Sequence, residues 1–311
     1  MTKVDILSVN ISDKKGIVKK PVASIELNQT GVAEDAHAGN WHRQVSLLAK
    51  ESVDKFSVKA KREIQFGEFA ENITTQGIIL HKTAPLDRFV MGDMLLEVTQ
   101  IGKKCHGDNC SIFREVGNCV MPKEGIFCRV LKGGELKAGD QLEYQPRIMK
   151  TLIITLSDRA SRGEYADKSG PLLKKLAEDF FKSKNRHFEI ETLILPDNEE
   201  QLKTILKKAQ AENYDMVFTT GGTGIGPKDI TPDVVKPLLT KEIPGVMELI
   251  RVKYGMEKAN ALVSRGIAGV MGMTLVYTLP GSPKAVNEYC SEIFKTIEHS
   301  LYMLNELDLH G

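Results

Sequence analysis

The sequence predicts two domains in series: a β-rich, barrel-like domain over residues 1–147, then an α/β domain over 150–311 with a mostly parallel sheet between helical layers, an αβα sandwich. Three observations predict it. A chain of 311 residues is long enough for two substantial cores. Its first half carries short apolar runs at close spacing, the mark of short strands. Its second half alternates strand-length with helix-length patterns.

In the first half, Leu7-Ser8-Val9-Asn10-Ile11, Met94-Leu95-Leu96-Glu97-Val98 and Gly125-Ile126-Phe127-Cys128-Arg129-Val130-Leu131 read as strands. One segment, 47–61, has helical length and apolar spacing. The polar stretch Tyr144-Gln145-Pro146-Arg147 reads as the linker. Beyond it, a strand at 151–156 leads to a helix from about Pro171, and one at 188–195 to a helix from about Glu199. A third strand at 216–220 leads to a helix from Pro232, and a fourth at 274–279 to one from Pro283. Thr231-Pro232 and Ser282-Pro283 each set a capping hydroxyl before a proline at the first helical position.

Hydrophobic residues make up 41% and charged residues 27%, and 42 basic side chains nearly cancel 41 acidic ones, which argues against a nucleic-acid coat and so against a nucleic-acid partner. No apolar run approaches the roughly 18 residues that cross a bilayer, so no membrane partner is expected. The start, Met1-Thr2-Lys3-Val4-Asp5-Ile6-Leu7, lacks the apolar core of a secretion signal, and the expected location is cytoplasmic. Four of the five cysteines fall between Cys105 and Cys128, and in that compartment they are reduced thiols.

In an open parallel sheet, ligands sit outside the carboxyl ends of the strands. Here those ends carry Ser157-Asp158-Arg159, Pro196-Asp197-Asn198, the glycine-dense turn from Gly221 to Asp229, and Pro280-Gly281-Ser282-Pro283. Four glycines within six residues let backbone amides approach an anion. The turn lacks the ending of a P-loop and the dinucleotide fingerprint, so standard NTPase and dehydrogenase chemistry are not indicated. Two carboxylates, Asp197 and Asp229, near a polyphosphate call for a cation, because like charges about 4 Å apart repel by roughly 4 kcal/mol at an effective dielectric near 20. Magnesium, with its preference for hard oxygen ligands, is the natural choice.

The run Thr219-Thr-Gly-Gly-Thr-Gly-Ile-Gly-Pro-Lys-Asp-Ile-Thr-Pro-Asp233 resembles the signature of MogA/MoaB-type molybdopterin adenylyltransferases. The likeness extends from 151 to the C-terminus through Leu156-Ser157-Asp158-Arg159, Leu195-Pro196-Asp197, Ile243-Pro244-Gly245, Ser264-Arg265 and Leu279-Pro280-Gly281-Ser282-Pro283. It implies magnesium-dependent transfer of AMP from ATP to the terminal phosphate of molybdopterin, without pyridoxal phosphate. Asp197 and Asp229 match the catalytic acidic positions and would hold the metal. Gly221, Gly222, Thr223, Gly224 and Ser282 would line the nucleotide phosphates, and Ser157, Asp158, Ser264 and Arg265 the pterin side. Val246-Met247 departs from the aromatic pair expected there. The resemblance further implies a homo-oligomer, a trimer or larger.

The first half has its own cluster, Cys105-His106-Gly107-Asp108-Asn109-Cys110, then Cys119 and Cys128, whose gaps fit structural zinc poorly. Packing is the plainer role of Cys119 and Cys128. Asp35-Ala-His-Ala-Gly39-Asn-Trp-His-Arg43, Phe69-Ala-Glu-Asn-Ile-Thr-Thr75 and residues 105–131 resemble a MOSC domain. That implies binding of molybdenum cofactor or carriage of sulfur, with Cys110 the preferred ligand or persulfide carrier and Cys105 and His37 beside it. A molybdenum-insertion protein or a sulfur donor are the partners this implies. Glu34 stands where the pattern has glycine, which bears on the turn holding Asp35 and His37, and those two residues, with His42 and Arg43, read equally well as structural. Two other readings stay open: a cofactor carrier with an inactive site, and a pyridine-nucleotide hydrolase of the competence-damage type. Thr223, where those hydrolases carry leucine, favours the pterin enzyme.

Overall fold

The computed structural model describes residues 2–104 and 119–308. The chain separates into two compact units, Met1–Arg147 with Leu307–Gly311, and Ile148–Glu306.

In the first unit seven strands close a barrel. Their cyclic order is β11 (Gln141–Gln145), β7 (Arg88–Met91), β8 (Met94–Ile101), β9 (Ile126–Lys132), β5 (Val45–Ala49), β6 (Ile73–Gln76) and β1 (Thr2–Ile11), which pairs back to β11. Neighbours are antiparallel except β5 and β6. Strand β2 (Lys20–Val22) extends β1, and β3 (Ser24–Asn28), β4 (Gly31–Val32) and β10 (Gly134–Lys137) form a separate small sheet. Closure hides the edges that an open sheet exposes. Val4, Ile6, Leu47, Leu96, Val98, Ile126 and Cys128 fill the interior.

The helix expected over 47–61 is α1, Lys50–Ala60. Leu47, Leu48 and Ala49 instead finish β5, every residue of which is buried. A strand buried on both faces is apolar throughout, so its end merges with the apolar stripe of the helix that follows. The linker is also shorter than expected. Tyr144 and Gln145 belong to β11, and the next strand begins at Ile148, leaving only Pro146 and Arg147. Buried Asp87 holds this junction, accepting from the Tyr144 hydroxyl at 2.6 Å and the Arg147 amide at 2.8 Å.

The second unit is a six-stranded sheet between helices. Its order is β13 (His187–Leu195), β12 (Ile148–Leu156), β14 (Met216–Thr220), β17 (Thr274–Leu279), β16 (Ala268–Met271) and β15 (Lys241–Glu242). The four expected strands run parallel, while β16 and β15 are antiparallel additions. Both additions are short, four and two residues, too brief for an apolar run of strand length to announce them.

Leu152, Ile154, Leu156 and Val217 point to one face, against Leu202, Leu206 and Ala209 of the helix Glu199–Ala211. On the other face Phe218 stacks on Tyr277 at 5.4 Å and meets Phe294 of the C-terminal helix Pro283–Leu304 edge-on at 6.3 Å. The helix Ser169–Ser183 packs beside that C-terminal helix, with Phe180 on Phe294 at 4.8 Å. The parallel register is level. Leu156 pairs Leu195, Thr155 pairs Thr220, and Thr220 pairs Leu279, so four strands end along one edge.

Candidate functional site

The first strand of this sheet, β12, lies between the second, β13, and the third, β14, so the chain leaves β12 toward β13 on one side and leaves β14 toward β15, β16 and β17 on the other. That switch point opens a crevice at the strand ends, and the glycine turn enters it. Gly221 has φ +104°, and a Cβ there would stand 2.3 Å from the Leu156 carbonyl oxygen. Its amide donates to Leu279 O at 2.9 Å, so the turn is wedged between β12 and β17. Gly222 has φ +63°, and its Cβ would meet the Thr231 hydroxyl at 2.5 Å. Fully buried Thr231 ties the turn to the next helix, Thr231–Val235, by donating from its hydroxyl to Gly221 O at 2.9 Å and from its amide to Gly222 O at 3.0 Å. A larger side chain would strike backbone at Gly221 and the Thr231 hydroxyl at Gly222, and both positions hold the left-handed φ that favours glycine.

Arg265 braces the same turn from outside. Its amide donates to Thr223 O at 2.8 Å and its Nε to Gly224 O at 2.7 Å. One terminal nitrogen bonds the Asp229 carbonyl, and the other meets both Asp233 carboxylate oxygens at 2.8 and 2.9 Å. With its carbonyls occupied, the turn leaves the amides of Gly222, Thr223 and Gly224 without a protein acceptor among the described hydrogen bonds. Successive free amides form an anion nest.

The same residues line a cavity of about 410 Å³. Gly221, Gly222, Thr223, Gly224, Asp229, Ser264 and Ser282 all line it. Ser282 caps the C-terminal helix by accepting from the Ala285 amide at 3.2 Å, which puts the positive end of a 22-residue helix at the cavity wall. Asp229 Oδ2 accepts from the Gly226 amide at 2.8 Å. Ser264 accepts from the Tyr289 hydroxyl at 2.9 Å, and burial pushes that phenol above its ordinary value, which keeps it a donor.

Four other expected residues do not line this cavity: Asp197, Ser157, Asp158 and Arg265. Ser157 caps the turn Asp158–Ser161, accepting from the Ala160 amide at 3.2 Å. Asp158 and Asp197 lock the first two strand ends together. Each carboxylate accepts from the other's amide at 3.1 Å. Lys228, in the glycine turn, ion-pairs with Asp158 and holds its carboxyl below the ordinary range, helped by the Asp197 amide. Asp197 is thus linked to the turn through Asp158 and Lys228.

The cavity also has a wall that the sequence reading missed. Ile250 and Tyr254 of the helix Pro244–Gly255, then Lys258, Asn260, Ala261 and Val263, supply it. Val246 and Met247, where an aromatic pair was expected, lie in the first turn of this helix, with Met247 buried. The available signal was Ile243-Pro244-Gly245, a proline at the first turn of a helix.

In the barrel unit, Cys105 and Cys110 lie outside the described residues. His37 is placed beside a buried ion pair of Lys19 and Asp35. Its Nδ1 is 3.3 Å from both an Asp35 oxygen and Lys19 Nζ, and its amide donates to Asp35 at 2.9 Å. Burial opposes the charge on Asp35, but the bonds from His37 and Lys19 outweigh it and hold the carboxyl well below the usual range. Burial pulls the Lys19 ammonium below its ordinary value, against the raising effect of Asp35. Glu34 has φ 61°, the backbone that glycine would supply more easily. Arg43 lies 4.8 Å from the Trp41 ring, and His42 is buried, which lowers its basicity. Cys128 is fully buried and its thiol is pushed up by that burial, so packing is its role. Among the described residues no three His, Cys, Asp or Glu side chains cluster as metal ligands, and no helix is long and apolar enough to cross a membrane.

Two family models match the chain: one described as "Probable molybdopterin binding domain" over 152–299, and the MOSC domain over 34–143. Gephyrin of Dictyostelium discoideum is 33% identical over 159 residues, covering 49% of this chain and 22% of that protein. Molybdenum cofactor biosynthesis protein B of Staphylococcus aureus is 35% identical over 164 residues, 51% of this chain and 94% of the relative. A molybdopterin adenylyltransferase of Helicobacter pylori is 33% identical over 153 residues, 49% of this chain and 85% of the relative. Against the larger relatives the match is partial: the chain spans 22% of the Dictyostelium gephyrin and 25% of the Drosophila melanogaster molybdenum cofactor synthesis protein cinnamon. The glycine turn, the level strand ends and the near-complete coverage of the Staphylococcus relative agree, and the chain belongs to the molybdenum cofactor biosynthesis family of MogA/MoaB type, with a MOSC domain ahead of that domain.

Proposed function

We propose that the second unit transfers AMP from ATP to the terminal phosphate of molybdopterin, and that the MOSC unit binds molybdenum cofactor or carries its sulfur. The observation that carries the first reading is the cavity itself. One wall offers free amides and a helix N-terminus to phosphate, and the other offers Ile250, Tyr254, Ala261 and Val263 to a flat ring system. The name of the Helicobacter pylori relative supports the same activity.

In this reading a phosphate oxygen of molybdopterin attacks the α-phosphorus of ATP. The new P–O bond forms as the bond to pyrophosphate breaks, and pyrophosphate leaves with the electron pair. Charge on the transferring group is met by the Gly222, Thr223 and Gly224 amides and by the helix that Ser282 caps. Ser264, fixed by Tyr289, faces the pterin side of the cavity, while Arg265 acts by holding the turn in shape.

Asp229 and Asp197 would hold magnesium. Each uses one carboxylate oxygen on a backbone amide, and the other oxygen accepts no hydrogen bond among the described residues, which is the hard donor such a cation takes. When bound, magnesium supplies charge neutralisation for the departing pyrophosphate.

The test is direct. Protein, magnesium, molybdopterin and ATP labelled at the α-phosphate are expected to yield labelled pterin, and no transfer by the wild type would sink the reading. Asp229→Asn is expected to lower the rate by about a hundredfold or more. We also propose, on the resemblance, a homo-oligomer. The exposed apolar residues Leu249, Val252 and Met256 support it.

A further inference from the structure

We propose that Tyr254 is the ring-stacking residue of the cavity, and that Ser291 and Glu292, which do not line it, are positioning residues that hold the tyrosine in place. The proposal rests on the nucleotide reading of the cavity and deepens it, from a phosphate site to one that also selects for a planar heterocycle.

Tyr254 is half-buried in the last turn of the helix Pro244–Gly255 and lines the cavity with Ile250, Ala261 and Val263. A tyrosine at such a place could turn its hydroxyl toward water. Here the hydroxyl lies 2.9 Å from Ser291 Oγ and 3.4 Å from Glu292 Oε1, both on the C-terminal helix Pro283–Leu304. The Ser291 hydroxyl donates to Glu288 O at 2.8 Å, which leaves its oxygen to accept from the phenol. The ring has a further neighbour in the Lys253 ammonium, 5.2 Å from its centroid. That ammonium is itself held, donating to Glu292 Oε1 at 2.6 Å, while Lys295 donates to Oε2 at 2.6 Å.

Joining two helices does not require this network. Glu292 is buried, and a buried ion pair is often no more stabilising than a well-packed apolar contact of similar volume. What an apolar contact cannot do is anchor the hydroxyl and so fix the orientation of an aromatic ring at the cavity wall. A ring held in advance loses little freedom when a flat ligand stacks on it, and the ammonium over one face leaves the other face for that ligand. The cavity joins this ring to the glycine turn, so a ligand that carries both a phosphate and a planar heterocycle matches the two ends. A nucleotide and a phosphorylated pterin share that chemistry.

The experiment uses the full chain and binding alone, measured by calorimetry with AMP, pterin-6-carboxylate and inorganic pyrophosphate, which has no ring. Tyr254→Ala is expected to weaken at least one ring-bearing probe by about tenfold or more, the scale of one base stacked on an aromatic side chain, and to leave pyrophosphate within about twofold. The probe that falls identifies the ring as adenine or pterin. Ser291→Ala and Glu292→Gln keep the aromatic ring and release its tether, and each is expected to weaken the same probe by about threefold, the scale of one hydrogen bond. Ser291 is exposed, so its variant tests the tether even where the Glu292 variant fails to fold. If Tyr254→Ala keeps wild-type affinity for both ring-bearing probes, the stacking role is overturned while the nucleotide reading stands. If it loses pyrophosphate as far as the others, Tyr254 supports the site in general and the proposal also fails. If Tyr254→Ala weakens a ring-bearing probe but Ser291→Ala and a folded Glu292→Gln do not, the positioning role is overturned. A wild type that binds none of the three probes overturns both readings.

Discussion

Asp35 shows how one residue can be visible in a sequence while its partner is not. The motif around Asp35 and His37 stood out, but Lys19, sixteen positions earlier, sits among Lys14, Lys15 and Lys20 in an ordinary polar stretch. Only the fold singles it out, by burying its side chain to 1% exposure against an equally buried carboxylate. Removing one member of such a pair leaves the other charge uncompensated in a poorly solvated place, so Asp35→Asn is expected to cost about 3 kcal/mol in urea unfolding. The pH dependence has a definite sign. The folded carboxyl is held below its ordinary value, so its contribution is present above that value, about 3.9, and is lost as pH falls below it. Wild-type stability should therefore decline between about pH 5 and 3 more steeply than that of Asp35→Asn. Parallel acid profiles for the two proteins would refute this account of the cluster.

At the scale of elements, the four strand ends and their glycine turn were legible because each strand finishes on apolar or β-branched residues and is closed by a proline, a glycine or a serine. The cavity's other wall was not. In the helix Pro244–Gly255, Met247 and Ile250 are buried while Leu249 and Val252 are exposed, so apolar residues occupy two faces and no single stripe emerges. Arg265 was flagged for the pterin side, but its contacts are with the turn. Sequence shows that a cation is present, and only geometry shows that its donors meet the Thr223 backbone segment, Gly224, Asp229 and Asp233. Arg265→Gln is expected to loosen that turn. Hydrogen exchange of the amides in 221–229 should quicken by about tenfold, and AMP affinity should fall by a similar factor. Unchanged exchange there would mean that the turn keeps its shape without the brace.

For the whole molecule, short strands at close spacing before residue 147 and the change of rhythm after it made a barrel-like half and an α/β half readable, whereas the order in which distant strands meet leaves no local trace. Assembly is the remaining property at this scale. Leu249, Val252 and Met256 recur at spacings of three and four, and their exposures of 53%, 58% and 85% place three large apolar side chains on one solvent-facing side. Such a row costs free energy in water unless something covers it, and the family resemblance supplies a second copy of the same surface as the occupant. The helix is anchored by its opposite side through Met247 and Ile250, so a charge on the exposed side need not disturb the fold. Val252→Glu combined with Met256→Glu is therefore expected to leave the circular dichroism spectrum unchanged and to shift the mass found by light scattering from a trimer or larger to a monomer. If the double variant keeps the wild-type mass, this helix is not the contact between copies. If the wild type is itself a monomer, the oligomer proposal falls.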